Sequence, residues 1–289
     1  MAMSVMVVAE CGSNWWGDPD ESQAERLDRA VRLIRTAAKC GADAAKFQAF
    51  RADDLYPKDS EHWHTVKPLE LPLEWLPTLA AIASERGIEF MASCFSEEMV
   101  DAVDPYVKRH KVASLEITDM SLLRRIASKG RPVIMSTGAA TDEQVARATH
   151  ALANEHQVQF LHCITAYPCP PEDTSVRLIL RKSLDWYAPV GLSDHTLDPV
   201  VAPVMAVALG ATMIEKHLTL SRSLAGPDHA YALEPGEFAE MVRCIRLAEK
   251  MLGDGIKRVQ PSEEAWRRWQ HQDRGLRGGI HEVAQSSSV

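Results

Sequence analysis

The chain has 289 residues, 46% of them hydrophobic and 25% charged, and a formal net charge of −8. The length suits one α/β barrel, which runs to about 250 residues, and the acidic balance argues against a nucleic-acid or anionic-membrane surface while leaving room for a locally basic pocket. The six cysteines show no CxxC pair, no apolar run reaches the length of a membrane span, and no basic stretch precedes an apolar one at the N-terminus, so the expectation is a cytoplasmic protein with reduced, packed thiols and neither signal peptide nor membrane segment.

Val5–Ala9 is a short apolar run with β-branched residues and reads as a buried strand. Asp18-Pro19-Asp20-Glu21 carries a helix-start signature, and Ala24, Leu27, Ala30, Val31, Ile34 and Ala38 recur at helical spacing until Gly41 stops them. Ala42–Phe47 reads as the second strand, with Lys46 and Gln48 at its end. The polar, unperiodic stretch from Arg51 to Pro68 reads as a loop over the strand ends. Helix Glu74–Arg86, strand Ile88–Ala92, helix Glu97–Val103, strand Lys111–Ser114, helix Asp119–Ser128, strand Pro132–Met135, helix Asp142–Ala153 and strand Val158–Cys163 follow in alternation. A proline-bearing loop, Ile164–Asp173, leads to a helix at Ser175–Leu184. The next strand ends in Gly-Leu-Ser-Asp-His-Thr (191–196), an apolar segment from Pro199 to Gly210 has the length of one helix, and the last strand ends in Ile-Glu-Lys-His (214–217) before helix Glu237–Leu252.

Eight short apolar strands alternating with helices predict an α/β fold with a parallel sheet, and eight units in this length predict a closed (β/α)8 TIM barrel over residues 1–256. No strand–GxGxxG–helix signature supports a dinucleotide-binding sheet. The polar extension 257–289 holds one candidate outer helix, Pro261–Gln270, followed by a Gly- and Ser-rich end expected to be poorly ordered.

In such a barrel chemistry sits at the C-terminal ends of the strands. Those ends offer Glu10; Lys46 and Gln48; Ser93; Lys111, Ser114 and Glu116; Ser136 and Thr137; His162, Thr165 and Tyr167; Ser193, Asp194 and His195; and Glu215, Lys216 and His217. Two parallel strands joined by a helix end on the same side of a sheet, so His195 and His217 either cap their own strands or meet as ligands for a divalent transition ion. Lysines and hydroxyls converging on one point suit a phosphate or carboxylate, and a neighbouring carboxylate suits a base or an orienting partner. Taken singly, Glu116 and Glu215 read equally well as structural partners of Lys111 and Lys216.

Eight blocks in order carry a resemblance. They are Ala-Glu-Cys-Gly-Ser-Asn (9–14), Gly-Ala-Asp-Ala-Ala-Lys-Phe-Gln (41–48), Lys-Val-Ala-Ser-Leu-Glu-Ile-Thr (111–118), Val-Ile-Met-Ser-Thr-Gly (133–138), Leu-His-Cys-Ile-Thr-Ala-Tyr-Pro (161–168), residues 191–196, residues 214–217 and Gly-Pro-Asp-His (226–229). Over about residues 5 to 255 the chain resembles the sialic acid synthase family, (β/α)8 barrels that condense phosphoenolpyruvate with an N-acylated amino sugar. The resemblance implies a divalent metal, manganese first with magnesium or cobalt as alternatives, on His195 and His217. It implies a phosphoenolpyruvate site of Lys46, Ser93, Lys111, Ser114, Ser136, Thr165 and Ser193, acid–base work for Glu10, and acceptor contacts for Gln48, Tyr167 and Asp228. Ser93 stands where threonine is usual and Thr165 where asparagine is common.

Two departures fall on the acceptor side. The residues after the barrel are too few for the antifreeze-like domain that family members usually carry, and the loop from Lys46 to Leu71 is short, with no counterpart of an acceptor-binding asparagine. The expectation is therefore a sugar acid synthase whose acceptor differs from N-acetylmannosamine, working as a homodimer or with a separate capping-domain protein. The rival readings are a Schiff-base keto-acid aldolase using Lys46 or Lys111, and a non-catalytic sugar-phosphate-binding barrel or subunit.

Overall fold

A computed structural model describes residues 4–152 and 158–272. Eight parallel strands close on themselves in chain order: β1 Met6–Gly12, β2 Ala44–Ala49, β3 Glu89–Cys94, β4 His110–Val112, β5 Val133–Ser136, β6 Val158–Cys163, β7 Val190–Asp194 and β8 Met213–His217, with β8 pairing back to β1. The closed barrel that the alternation predicts is the observed fold.

Helices cover the barrel: α1 Gln23–Lys39, α2 Ala52–Leu55, α3 Glu61–Val66, α4 Leu76–Glu85, α5 Glu97–Val103, α6 Met120–Ala127, α7 Asp142–Ala151, α8 Arg177–Trp186, α9 Val201–Ala208 and α10 Pro235–Leu252; a further helix, α11 Glu264–Gln272, follows in the chain. Three local expectations change. The first helix begins at Gln23 rather than near Asp18, because Ser22 and Glu25 form a reciprocal cap that satisfies its first free amides. Arg51–Pro68 is not one loop: Ser60 caps α3, and the Trp63 indole reaches back to Asp53 at 2.7 Å, so α2 and α3 fold onto each other. The fourth strand stops at Val112, and Ser114 opens a tight 3₁₀ turn through Thr118.

Alternation along each strand divides two cores. Residues facing outward pack with the helices in one large cluster that includes Val7, Ala45, Phe90, Val133, Leu192 and Ile214. Residues facing inward form a small apolar layer of Val8, Ala44, Met91, Ile134, Leu161 and Met213. Two positions further along each strand the interior turns polar, so the site rests on an apolar floor.

The chain divides into a unit ending at Met251 and a second beginning at Leu252. In the second, a tight turn at Pro261–Glu263 precedes α11, with the rings of Trp266 and Trp269 edge to face. The polar end from residue 273 onward lies outside the described residues. Among the described residues no helix is long and apolar enough to cross a membrane.

Candidate active site at the strand ends

Inward-facing residues of all eight strands and the turns after them line a polar cavity of about 70 Å³ at the C-terminal end of the barrel. It holds Glu10, Lys46, Ser93, Lys111, Ser136, Ser193, His195 and His217 together, as the strand-end reading predicts, and adds Cys163 and Glu215. Ser114 lies on the turn after β4 and also reaches it.

The charges alternate around the cavity. The Lys46 ammonium lies 2.8 Å from Glu10 Oε2 and 3.4 Å from Glu215 Oε1, and donates to Ser93 Oγ at 3.1 Å. The Lys111 ammonium donates to Ser136 Oγ at 2.7 Å and lies 3.9 Å from Glu215 Oε1, which also accepts from Ser193 Oγ at 3.1 Å. Burial pushes the Glu10 carboxyl up to about 6 against the pull of Lys46. Burial also favours the acid form of Glu215, but Lys111 and Lys46 outweigh it and hold that carboxyl down to about 2. Burial lowers Lys111 to about 8, whereas Lys46, desolvated just as fully, is held above its ordinary range by Glu10 and Glu215. The two ammonium groups are thus balanced by two carboxylates.

His195 and His217 stand with ring centroids 5.6 Å apart. His195 Nδ1 donates to the Ile164 carbonyl at 2.8 Å, which leaves its Nε2 lone pair free, 3.5 Å from Ser193 Oγ. His217 Nδ1 is buried without a hydrogen-bond partner among the described residues. Burial lowers both imidazoles, His195 to about 4, so both are neutral donors of the kind a transition ion takes. Among the described residues no cluster of three or more His, Cys, Asp or Glu forms a metal cage. The protein therefore offers two nitrogens with an oriented tautomer on one of them, which fits an ion whose other positions stay open to water or substrate.

A second, wider chamber of about 720 Å³ opens above the first and shares Gln48, Ser114, Tyr167 and His217 with it. The predicted Gln48, Thr165, Tyr167 and Asp228 all line it, and the buried Thr165 Oγ1 also lies beside Ser114 Oγ and Cys163 Sγ of the smaller cavity, all three crowding the space over Gly138. Tyr167 lies against His195 with centroids 4.1 Å apart. Gln48 donates to Glu10 Oε1 at 3.1 Å. Gly12, at φ +45°, makes room for this cluster: a Cβ there would sit 2.7 Å from Asp228 Oδ2, 3.2 Å from Glu10 Oε1 and 3.3 Å from Gln48 Nε2.

Other strand-end candidates point elsewhere. Lys216 faces outward, donating to Asp194 Oδ2 at 2.6 Å and to the Asp198 carbonyl at 3.2 Å, and it also reaches the Thr196 carbonyl. Glu215 is therefore no partner of Lys216, because neighbours on a strand face opposite sides. His162 is outward too, 2.8 Å from the Thr174 carbonyl. Glu116 sits half-buried on the turn after β4 and does not pair with Lys111; burial and then Asp119 push its carboxyl up to about 7. Sequence reading missed the inward roles of Glu215 and Cys163, the latter with Sγ 3.9 Å from His195 Nδ1. Strand parity counted back two residues from His217 finds Glu215, and the pairing of β6 with β7, which sets Cys163 opposite Ser193, finds Cys163.

The pattern of the NeuB family matches residues 33–257 of the chain. N,N′-diacetyllegionaminic acid synthase of Legionella pneumophila is 35% identical over 283 residues, covering 91% of this chain and 77% of that protein. Pseudaminic acid synthase of Campylobacter jejuni is 36% identical over 270 residues, 87% of this chain and 76% of that protein. Among solved structures, N-acetylneuraminic acid synthetase from Leptospira borgpetersenii in complex with citrate superposes with a TM-score of 0.84 at 30% identity, covering 94% of this chain and 93% of that one.

Proposed function

The chain belongs to the NeuB family, and on that premise we propose that it condenses phosphoenolpyruvate with the aldehyde of an N-acylated sugar to give a 3-deoxy-2-keto sugar acid and phosphate. The observation that carries this reading is the convergence of Lys46, Lys111 and the serines with two neutral histidines on one small cavity, directly beneath a chamber large enough for a sugar.

In this reading Lys46, Lys111, Ser93, Ser114, Ser136 and Ser193 grip the phosphate and carboxylate of phosphoenolpyruvate. Gln48, Tyr167 and Asp228 receive the acceptor, and Thr165, beside Ser114, stands between the two substrates. His195 and His217 hold a divalent ion, manganese first and magnesium or cobalt as alternatives; when bound, it polarises the aldehyde as a Lewis acid. Carbon 3 of phosphoenolpyruvate bonds to the aldehyde carbon while its double-bond electrons move, and the aldehyde oxygen takes a proton. Water adds at the electron-poor carbon 2 and loses its proton. The tetrahedral centre then collapses with carbon–oxygen cleavage, leaving the keto acid and inorganic phosphate. Glu10, buried and held near neutrality in its titration, is placed to move a proton in these steps. Because two carboxylates already balance the two lysines, an anionic substrate binds best when a cation joins it.

The short loop after Lys46 motivates an acceptor other than N-acetylmannosamine. We place the enzyme in the cytoplasm, where its free cysteines suit a reducing environment, as a homodimer or with a separate capping-domain protein. The test is phosphate release from phosphoenolpyruvate and manganese across a panel of N-acylated and plain aldoses. Turnover with one sugar, lost to chelator and reduced on the order of 10³-fold by His217→Ala, supports the synthase. Borohydride trapping of a keto acid on Lys46 or Lys111 without any metal requirement would instead favour a Schiff-base aldolase.

A further inference from the structure

The two candidate ion-binding histidines lie where the sheet gives out. Strands β7 and β8 run in register through Leu192 with Ile214, Ser193 with Glu215 and Asp194 with Lys216. The ladder ends there, one step short of both histidines: His195 is the first residue past β7, and His217 is the last of β8. The ladder between these strands therefore does not itself set the separation of the two rings, whose centroids stand 5.6 Å apart.

Lys216 takes the place of the missing rungs. Its side chain is 1% exposed and points to the outer face of the barrel, away from both cavities. Its ammonium donates to Asp194 Oδ2 at 2.6 Å, to the Thr196 carbonyl, and to the Asp198 carbonyl at 3.2 Å. Asp194 in turn accepts from Thr196 N at 2.9 Å through Oδ1. The residues on both sides of His195 are thus tied to one ammonium, and that ammonium belongs to the residue before His217. His195 has further holds: its Nδ1 donates to the Ile164 carbonyl, and its own carbonyl accepts from Cys169 N at 2.8 Å. The ring of His217 lacks a comparable one, since its Nδ1 is buried without a partner among the described residues. Its place relative to His195 rests on the backbone that carries Lys216. A position between a strand and its covering helices is ordinarily apolar, as Ile214 is two residues earlier on the same face. Taking an ammonium and a carboxylate out of water there costs desolvation of the same order as their attraction, so the pair adds little stability over an apolar pair of similar size; what it does supply is one fixed register.

We propose that Lys216 is a positioning residue of the ion site: from behind the barrel wall it fixes the separation of His195 and His217, without touching the ion or either substrate. This rests on the reading of the two histidines as the ion-binding pair of a synthase. Residues that orient ligands in this way govern ion affinity by about 10- to 100-fold. A lysine that only held the fold together would lower ion affinity in step with lost stability. A positioning lysine separates the two.

The test measures manganese affinity of the metal-free full chain, by calorimetry and by the paramagnetic resonance of free manganese, beside the melting temperature. The proteins are the wild type, His217→Ala, Thr196→Val and the double variant Lys216→Met with Asp194→Asn. The double variant removes one positive and one negative charge together, so neither partner is left as an unpaired buried ion and the net charge behind the histidines is unchanged. It should melt above Lys216→Met alone and still bind manganese about 10- to 100-fold more weakly than the wild type. Thr196→Val takes away only the hydroxyl 3.2 Å from Asp194 Oδ2 and 3.3 Å from Lys216 Nζ, and should weaken manganese about fivefold. Wild-type manganese affinity in the folded double variant overturns the inference and leaves the ion site and the synthase standing. Where the double variant does not fold, wild-type affinity in Thr196→Val does the same. Manganese binding that His217→Ala leaves intact, or none by the wild type, overturns the ion-site reading and this inference together.

Discussion

The inner and outer chambers are built by different means. The inner one takes Glu10, Lys46, Lys111, Ser136, Ser193 and Glu215 from hydrogen-bonded strands whose register fixes every side chain. The outer one takes Tyr56, Leu115, Thr165, Tyr167, Leu197 and Asp228 from segments between strands and helices. A strand position cannot shift by one residue without turning its side chain to the other face. A connecting segment can change residue and length with little effect on the barrel. In the proposed synthase, this puts the chemistry on the part that cannot move and the choice of acceptor on the part that can.

The largest expected effect attacks the rigid side of that comparison from behind. Lys216 is buried on the outer face of β8, between the inward-facing Glu215 and His217, and ties together Asp194, Thr196 and Asp198, the residues that flank His195. One ammonium thus holds the ends of both histidine-bearing strands. Lys216→Met leaves Asp194 buried without its counter-charge, and should lower unfolding stability by about 3–5 kcal/mol in denaturant titration. Adding Asp194→Asn should recover part of the loss, since the two sites are coupled. A loss under about 1 kcal/mol, the scale of an exposed pair, would show that the inner chamber does not depend on this clamp.

The same contrast explains what the sequence made legible. The barrel followed from the eight apolar runs, because parallel strands covered on both faces leave an unmistakable composition. The site residues followed where the strand ends could be located: Glu10, Lys46, Ser93, Lys111, Ser136, Ser193 and His217 all face one cavity. Glu215 was harder, since its function depends on a neighbour two strands away in space, Lys46, rather than on Lys216 beside it in the chain. Residues 51–68 looked structureless because α2 and α3 are too short to show a period, and their fold depends on contacts such as Trp63 with Asp53. Gly12 carries no motif of its own; it acquires meaning only from the Asp228 carboxylate that the fold brings to it.

Gly12 lies where the two chambers meet, so it can separate them. Gly12→Ala would place a methyl group into the space shared by Asp228, Glu10 and Gln48, at a backbone φ of +45° that alanine tolerates poorly. The expected outcome is a rise of about tenfold in acceptor KM, on the scale of one lost hydrogen bond to a charged group, with phosphoenolpyruvate affinity changed by less than about threefold. Equal damage to both substrates would mean that the chambers act as one, and the division drawn above would fail.

The smallest effect falls on the turn after β4, which carries Ser114 into both chambers. Glu116 on that turn has its carboxyl raised from 4.5 to about 7, first by burial and then by Asp119. Below pH 4.5 the group is protonated whether the chain is folded or unfolded, and it contributes nothing to the balance. Between 4.5 and about 7 the folded chain keeps a proton that the unfolded chain has released, so its stability falls as pH rises. Above about 7 both forms are ionised and the full penalty applies. Glu116→Gln removes the charge and should raise Tm at pH 8 by about 2 °C, kept small because the group is partly solvated. At pH 4 the same substitution should leave Tm unchanged. A gain of equal size at both pH values would trace the effect to packing rather than to the proton, and the turn would then be no less rigidly specified than the strands it joins.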